Sequence, residues 1–273
     1  MARVVAGFNV PHTPYLPVTV PKGDTLNGGL FEQTRELLEA SRPDAVVIFD
    51  DDHVNTFFLD NLPTFAVGFA DAMSGPNDEA PLPTREVPIH ADLGRAIYTH
   101  GIRSGFDLAR TEKLTVDHSI MVPLHFLMPE KLVPVVPFFI NCLVPPFPSA
   151  GRAHAVGKMV GEAVEAFPED LRVAVIASGS INHEVAGPRV LPGEIWNAPD
   201  PGWLEEVVAW LEAGQVEEIV EHATDERLDA VGNVAHELLT IIAMLGAIGD
   251  QPLRIVGKDT RLGHCFTAWS ADA

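Results

Sequence analysis

Apolar residues fall along the chain in short continuous runs separated by amphipathic stretches, and polar residues gather where each run ends. Residues 3–9 read as a strand that stops at Pro11-His12-Thr13-Pro14, where two prolines forbid helix or central strand. Residues 45–49, Ala-Val-Val-Ile-Phe, form an unbroken apolar run of strand length, the pattern of a strand covered on both faces in a mostly parallel sheet. That run delivers Asp50, Asp51, Asp52 and His53 to its carboxyl end. Residues 173–177 repeat the pattern and end in Ser178-Gly179-Ser180-Ile181-Asn182-His183. Further strands are expected over 62–69, 132–140, 253–257 and 265–269.

Helical spacing of Leu30, Phe31, Leu37 and Leu38 predicts a helix over 30–40, stopped by Pro43. Helices are also expected over 91–101 and 150–166, and over 203–211 and 216–222, the last two acidic and largely on the surface. Residues 71–82 read as a polar loop, and 116–127 as a loop turning into an apolar helix whose first turn accommodates Pro123. The longest apolar helical run, 234–246, carries one carboxylate, Glu237, near its start, with Asn233 as its expected cap. Strands alternating with helices predict the α/β class: a single domain over 1–273 with a central mostly parallel or mixed sheet flanked by helices. No linker, repeat or low-complexity tract divides it.

The formal charge of −20, from 18 basic and 38 acidic side chains, argues against a nucleic-acid or anionic-membrane partner. Cys142 and Cys265 are too few for a disulfide framework, so a reducing cytoplasm is the expected location. No signal-peptide pattern opens the chain, and no apolar run approaches the roughly 18 residues of a spanning helix.

Candidate chemistry concentrates at the strand ends. A carboxylate opening an apolar helix must stay solvated, pair with a cation or bind a metal. His12 and His53, each after a strand, supply imidazoles that with Glu237 would make a facial triad, an arrangement suited to Fe(II) and oxygen. His118 and His183 sit in comparable loops, whereas His90, His100, His125, His154, His222, His236 and His264 read as surface or satisfied core residues. Asp50 reads as part of a solvated acidic run, Asp51 or Asp52 as a group able to orient a metal-bound imidazole, and Asp117 stays open between those two roles. Cys142, in apolar surroundings, reads as a buried inert thiol. His236-Glu237 lacks the second histidine of H-E-x-x-H, Ser178-Gly179-Ser180 completes no G-x-S-x-G, and no phosphate-binding glycine motif follows a strand.

Four segments together resemble the class III extradiol ring-cleavage dioxygenases, the group of protocatechuate 4,5-dioxygenase β subunits, gallate dioxygenase and 2,3-dihydroxyphenylpropionate dioxygenase. They are Pro11-His12-Thr13-Pro14, Asp52-His53 with Asn55-Thr56-Phe57-Phe58, Asp117-His118-Ser119 through Pro123-Leu124, and Ala235-His236-Glu237 with its helix. The resemblance implies a non-haem Fe(II) held by His12, His53 and Glu237, inserting O2 into a catechol-type diol and opening the ring beside the hydroxyls. It also implies His118 and His183 as unligated catalytic groups, His183 the base and His118 the group that positions oxygen or donates a proton. Many relatives carry Gly-Leu-Ser before the histidine matching His183; here Ser180 and Asn182 stand in that stretch and are expected to line the substrate pocket. Arg189 is the candidate partner for a substrate carboxylate, weighed against a surface arginine, the reading preferred. A homo-oligomer, with or without a small extra subunit, is the implied assembly. The competing readings are an aminophenol-cleaving enzyme of the same fold, a non-catalytic metal-binding relative and a metal-dependent hydrolase.

Overall fold

The computed structural model of the chain describes residues 1–190 and 192–271. Its elements begin with β1 (Arg3–Val10), α1 (Leu16–Thr19), α2 (Thr25–Ser41), β2 (Ala45–Asp50), β3 (Phe65–Gly68), β4 (Ala72–Gly75) and β5 (Arg85–Pro88). The middle of the chain forms α3 (Ala91–Arg103), β6 (Ala109–Thr111), β7 (Leu114–Thr115), α4 (His118–Leu127), β8 (Val135–Ile140), α5 (Ala150–Glu165) and β9 (Arg172–Ser178). The remainder forms β10 (Glu184–Val185), β11 (Trp196–Asn197), α6 (Pro201–Ala213), α7 (Val216–His222) and α8 (Asp225–Val231). A 3-10 turn (Ala235–Glu237), α9 (Leu238–Ala247), β12 (Arg254–Asp259) and β13 (His264–Ser270) follow.

Eight strands make one mixed sheet in the order β12-β13-β1-β9-β2-β8-β3-β6. Its centre, β1, β9, β2 and β8, is parallel, as the continuous apolar runs predicted. Side chains of β2 alternate between two cores: Ala45, Val47 and Phe49 face α5 and α9, while Val46 and Ile48 face α2 and α4. Both faces being covered, no polar position interrupts the strand until Asp50. The result is a single α/β domain with helices on both sides of a mixed sheet.

The parallel centre decides where chemistry can gather. Val10 of β1 pairs with Ser178 of β9, and Phe49 of β2 with Ala177, so three neighbouring strands end on one edge at one level. The loops bearing His12, Asp51 to His53 and His183 therefore leave the sheet side by side, the position where open α/β sheets bind ligands.

Several elements depart from the sequence reading. Helix α2 starts at Thr25, five residues early, because Asp24 caps it by accepting the Asn27 N–H at 3.1 Å. Residues 71–82 are not merely a loop, since β4 lies there and pairs with β5 and β7. Helix α6 lies at the surface as expected, with one face, Trp203, Leu204, Val207, Val208 and Leu211, buried against the core. Pro123 lies inside α4, beyond its first turn. Asn233 caps nothing: its amide accepts from Val185 N at 2.9 Å and donates to Val185 O at 2.8 Å.

Helices α5 and α9 approach closely through small residues, and a Cβ on Gly157 would stand 1.9 Å from the Ala243 carbonyl oxygen. Gly29, in α2, has nothing within 4 Å of the same construction. Gly157→Ala is therefore expected to destabilise the protein by about 1–3 kcal/mol through overpacking. Gly29→Ala should stabilise it by roughly 0.5–1 kcal/mol through helix propensity. Urea unfolding of the two variants beside the parent protein checks both signs.

Candidate metal centre

His12 follows β1, Asp51 and His53 follow β2, and Glu237 closes the 3-10 turn that leads into α9. The turn brings Glu237 to the sheet edge, where the Ser180 N–H donates to its Oε2 at 2.7 Å. Donor atoms of His12, Asp51, His53 and Glu237 all lie within 4.8 Å of one another. His12 Nε2 is 3.4 Å from Glu237 Oε1 and 3.7 Å from Asp51 Oδ1, and His53 Nε2 is 3.6 Å from Asp51 Oδ2. Three of the four are buried and His53 nearly so.

The hydrogen bonds around the imidazoles determine which nitrogen faces this cluster. Pro123 has no N–H to offer the Ser119 carbonyl one helical turn earlier. Ser178 Oγ donates to that carbonyl instead, at 2.5 Å. With its proton so committed, Ser178 Oγ accepts from His12 Nδ1 at 3.0 Å, which leaves the His12 Nε2 lone pair bare. His53 Nδ1 donates to Asp117 Oδ2 at 3.1 Å and His183 Nδ1 to the Leu262 carbonyl at 2.7 Å. His118 Nδ1 bonds to Asp78. All four rings thus hold Nδ1 to the protein and carry Nε2 free, and all four line one cavity of about 490 Å³.

Without a metal, the two carboxylates of the cluster are balanced only by protons on the imidazoles. Burial disfavours a charged His12, yet Glu237 and Asp51 raise its pKa above the ordinary value. Burial likewise opposes charge on His53, but Asp51 and Asp117 carry its pKa to about 10. Glu237 would be raised by burial, and His12 instead holds it down to about 2. Asp51 is pushed up to about 6 by burial against the pull of His53 and His12. Asp51 Oδ1 is buried with no hydrogen-bond partner among the described residues. Two bare imidazole nitrogens and two carboxylates converging on one point fit a divalent metal, whose charge the carboxylates require and whose bonds the lone pairs supply. The other two histidines differ, because burial lowers the pKa of both His118 and His183 and keeps them neutral.

The remaining sequence-predicted residues divide. Ser180 lines the cavity beside His183, whose Nε2 is buried without a partner among the described residues. Asn182 is not brought in; it is buried and donates to the Asp200 carbonyl at 2.6 Å. Arg189 is not brought in either: it is ion-paired with Glu184 and bonded to the carbonyls of Asp229 and Ala230 at the end of α8. Asp52 accepts from the backbone N–H of Asn55, Thr56 and Phe57 and so shapes the loop after β2, whereas Asp51, not Asp52, faces the imidazoles. Asp117 caps α4, accepting from Ser119 N at 2.9 Å while it holds His53. Burial raises the Cys142 thiol well above its ordinary pKa, as expected of an inert cysteine.

Sequence reasoning missed Asp78, the partner of His118, and the hydrophobic wall formed by Tyr15, Leu143, Ile195 and Trp196. Neither Asp78 nor the 186–196 segment carries a periodic pattern that would mark it. His264 is a satisfied core residue, as its sequence context suggests: it is buried and bonded to Thr13 Oγ1 at 2.9 Å, with its ring 5.6 Å from that of His183.

Residues 7–271 match the family model described as the catalytic LigB subunit of aromatic ring-opening dioxygenase. Curated relatives include the 2,3-dihydroxyphenylpropionate/2,3-dihydroxicinnamic acid 1,2-dioxygenases of Escherichia coli O139:H28 (strain E24377A / ETEC) and Escherichia coli (strain K12 / DH10B). Each is 28% identical over 281 residues, covering 87% of this chain and 87% of the relative. Among solved structures, the uncharacterized protein JW3007 from Escherichia coli K12 matches with a TM-score of 0.61 at 13% identity. That match spans 97% of this chain and 99% of the other, and shows the fold alone.

The chain of bonds from Ser119 through Ser178 to His12 is open to test. Ser178→Ala strands a buried carbonyl and a buried N–H, and is expected to cost about 1–3 kcal/mol of stability. In urea unfolding that loss should appear as an earlier midpoint, and in metal-free protein, at a pH high enough that the ring is neutral, imidazole ¹⁵N shifts should show His12 populating both tautomers. A ring that keeps Nδ1 alone protonated without Ser178 would mean that this hydrogen bond does not set it.

Proposed function

Because the chain belongs to the family of the catalytic LigB subunit of aromatic ring-opening dioxygenases, we propose that it inserts both atoms of O2 into a catechol-type diol and opens the ring beside the hydroxyls. What supports the reading for this chain is one observation: two neutral imidazoles, His118 and His183, border the same cavity as His12, His53 and Glu237. In the proposed roles His12, His53 and Glu237 hold Fe(II), and Asp51 stands close enough to add a carboxylate. When bound, ferrous ion supplies open coordination positions for diol and oxygen and the redox capacity to combine them.

The chain's own groups handle protons. His183 offers a bare, buried Nε2, its other nitrogen anchored on the Leu262 carbonyl, so it can take a proton from a substrate hydroxyl at neutral pH. His118, steered by Asp78 and stacked on His53 with ring centroids 4.2 Å apart, lines the same cavity as the group that positions oxygen or returns a proton. Both oxygen atoms end in the ring-opened product, so no further oxidant or reductant is needed. Among the described residues no helix is long and apolar enough to cross a membrane. The two free buried thiols suit the cytoplasm proposed for this chain. A homo-oligomer, the assembly implied by the family resemblance, would sediment as a multiple of 29.5 kDa.

Protein purified without oxygen should carry about one iron per chain, the stoichiometry of a single facial site. Glu237→Ala should lose that iron, and retention of stoichiometric metal would refute the ligand set. His183→Ala should retain iron while turnover falls by about 10²–10⁴-fold, the usual contribution of a general base. Oxygen consumption over a panel of catechols, gallates and aminophenols, with a yellow product for the diols cleaved, identifies the ring class; absence of uptake with every member would end the proposal.

A further inference from the structure

Beyond the polar floor of histidines and Glu237, the cavity is walled by Leu143, Val185, Ile195, Trp196 and Val234. No lysine or arginine is among the described residues that line it. The one polar amide in that wall, Asn233, has both its groups committed to the backbone of Val185. Arg189, the nearest basic residue in sequence to this wall, is held by Glu184 and by two helix-end carbonyls. Lys22 and Arg261 lie in a neighbouring cleft that shares Thr13, Tyr15 and Trp196 with the cavity, and the Tyr15 and Trp196 rings, 5.1 Å apart, stand between the two spaces. Arg261 is moreover 3.4 Å from the Asp259 carboxylate.

A carboxylate on a substrate ring seated against this wall would lose part of its hydration and find no cation in the wall. Desolvation without a compensating partner acts against it. An alkyl or aryl substituent meets the opposite situation, since the side chains it would touch are apolar or aromatic. We infer, on the ring-cleavage reading above, that the substrate is a catechol whose ring substituent is uncharged and apolar, seated against Leu143, Val185, Ile195, Trp196 and Val234. The inference separates this chain from its curated relatives, whose names specify a diol bearing a propionate or cinnamic acid chain.

The test is a matched pair of ligands of equal chain length, 3-propylcatechol and 3-(2,3-dihydroxyphenyl)propionate, titrated calorimetrically into ferrous-loaded protein without oxygen. The propyl compound is expected to bind at least tenfold more tightly. Equal affinity, or preference for the propionate, overturns the inference and leaves ring cleavage standing; failure of both to bind, together with no oxygen uptake, overturns ring cleavage and the inference with it. Ile195 is about half exposed at the rim of the wall, so Ile195→Arg can be introduced without burying a charge. That variant should improve the propionate by at least tenfold relative to the propyl compound. An unchanged ratio would overturn the placement of the substituent against this wall.

Discussion

His12 Nε2 and Glu237 Oε1 lie 3.4 Å apart in a buried site, a lone pair and a carboxylate that cannot face one another at that distance without a positive charge between or beside them. Asp51 and His53 sharpen the demand, since they add a second carboxylate and a second lone pair within the same few ångströms. Folding alone brings these groups together, because β1 and β2 flank β9 and all three run in one direction. A proton or metal cation taken up at the point of convergence would stabilise the folded chain over the unfolded one, coupling its binding to folding.

Orientation of the imidazoles is a separate requirement from their convergence, and it is satisfied by residues with no chemistry of their own. A proline inside α4 frees one carbonyl; a serine bonds to it; the same serine then dictates which nitrogen of His12 is protonated. Asp117 does two comparable jobs, capping α4 and holding His53 Nδ1. Helix α4 is in this sense a scaffold for two candidate ligands it does not contain, and a helix-weakening residue at its middle is tolerated because the orphaned carbonyl is satisfied across the sheet edge.

The sheet was legible in the sequence to the extent that burial on both faces writes unbroken apolar runs, which is why β2 and β9 and the loops after them were located by pattern alone. Glu237 was legible for a related reason, as the one charge on an otherwise apolar helix. Asp78, β4 with its small sheet, and the β10–β11 hairpin were not legible, because short edge strands bury single residues and leave no period to read. Asn233 misled for a different reason: a side chain that prefers helix caps also bonds well to an extended backbone, and here Val185 won. Asp51 and Asp52 are adjacent letters in an acidic run, and only the turn after β2 distinguishes the one facing imidazoles from the one bonded to its own loop.

Metal cluster and substrate wall rest on unlike parts of the fold. The candidate ligands come from the ends of interior strands and the start of a buried helix, where packing on both sides holds positions rigidly. Val185, Ile195 and Trp196 come from a hairpin fastened mainly by Asn233 and by the buried Glu184 carboxylate with Arg189. Arg189 thus anchors the wall without entering it. In a fold arranged in this way the candidate ligands and the apolar wall lie on separate elements, so a change in the hairpin need not reach the strand ends that carry His12 and His53.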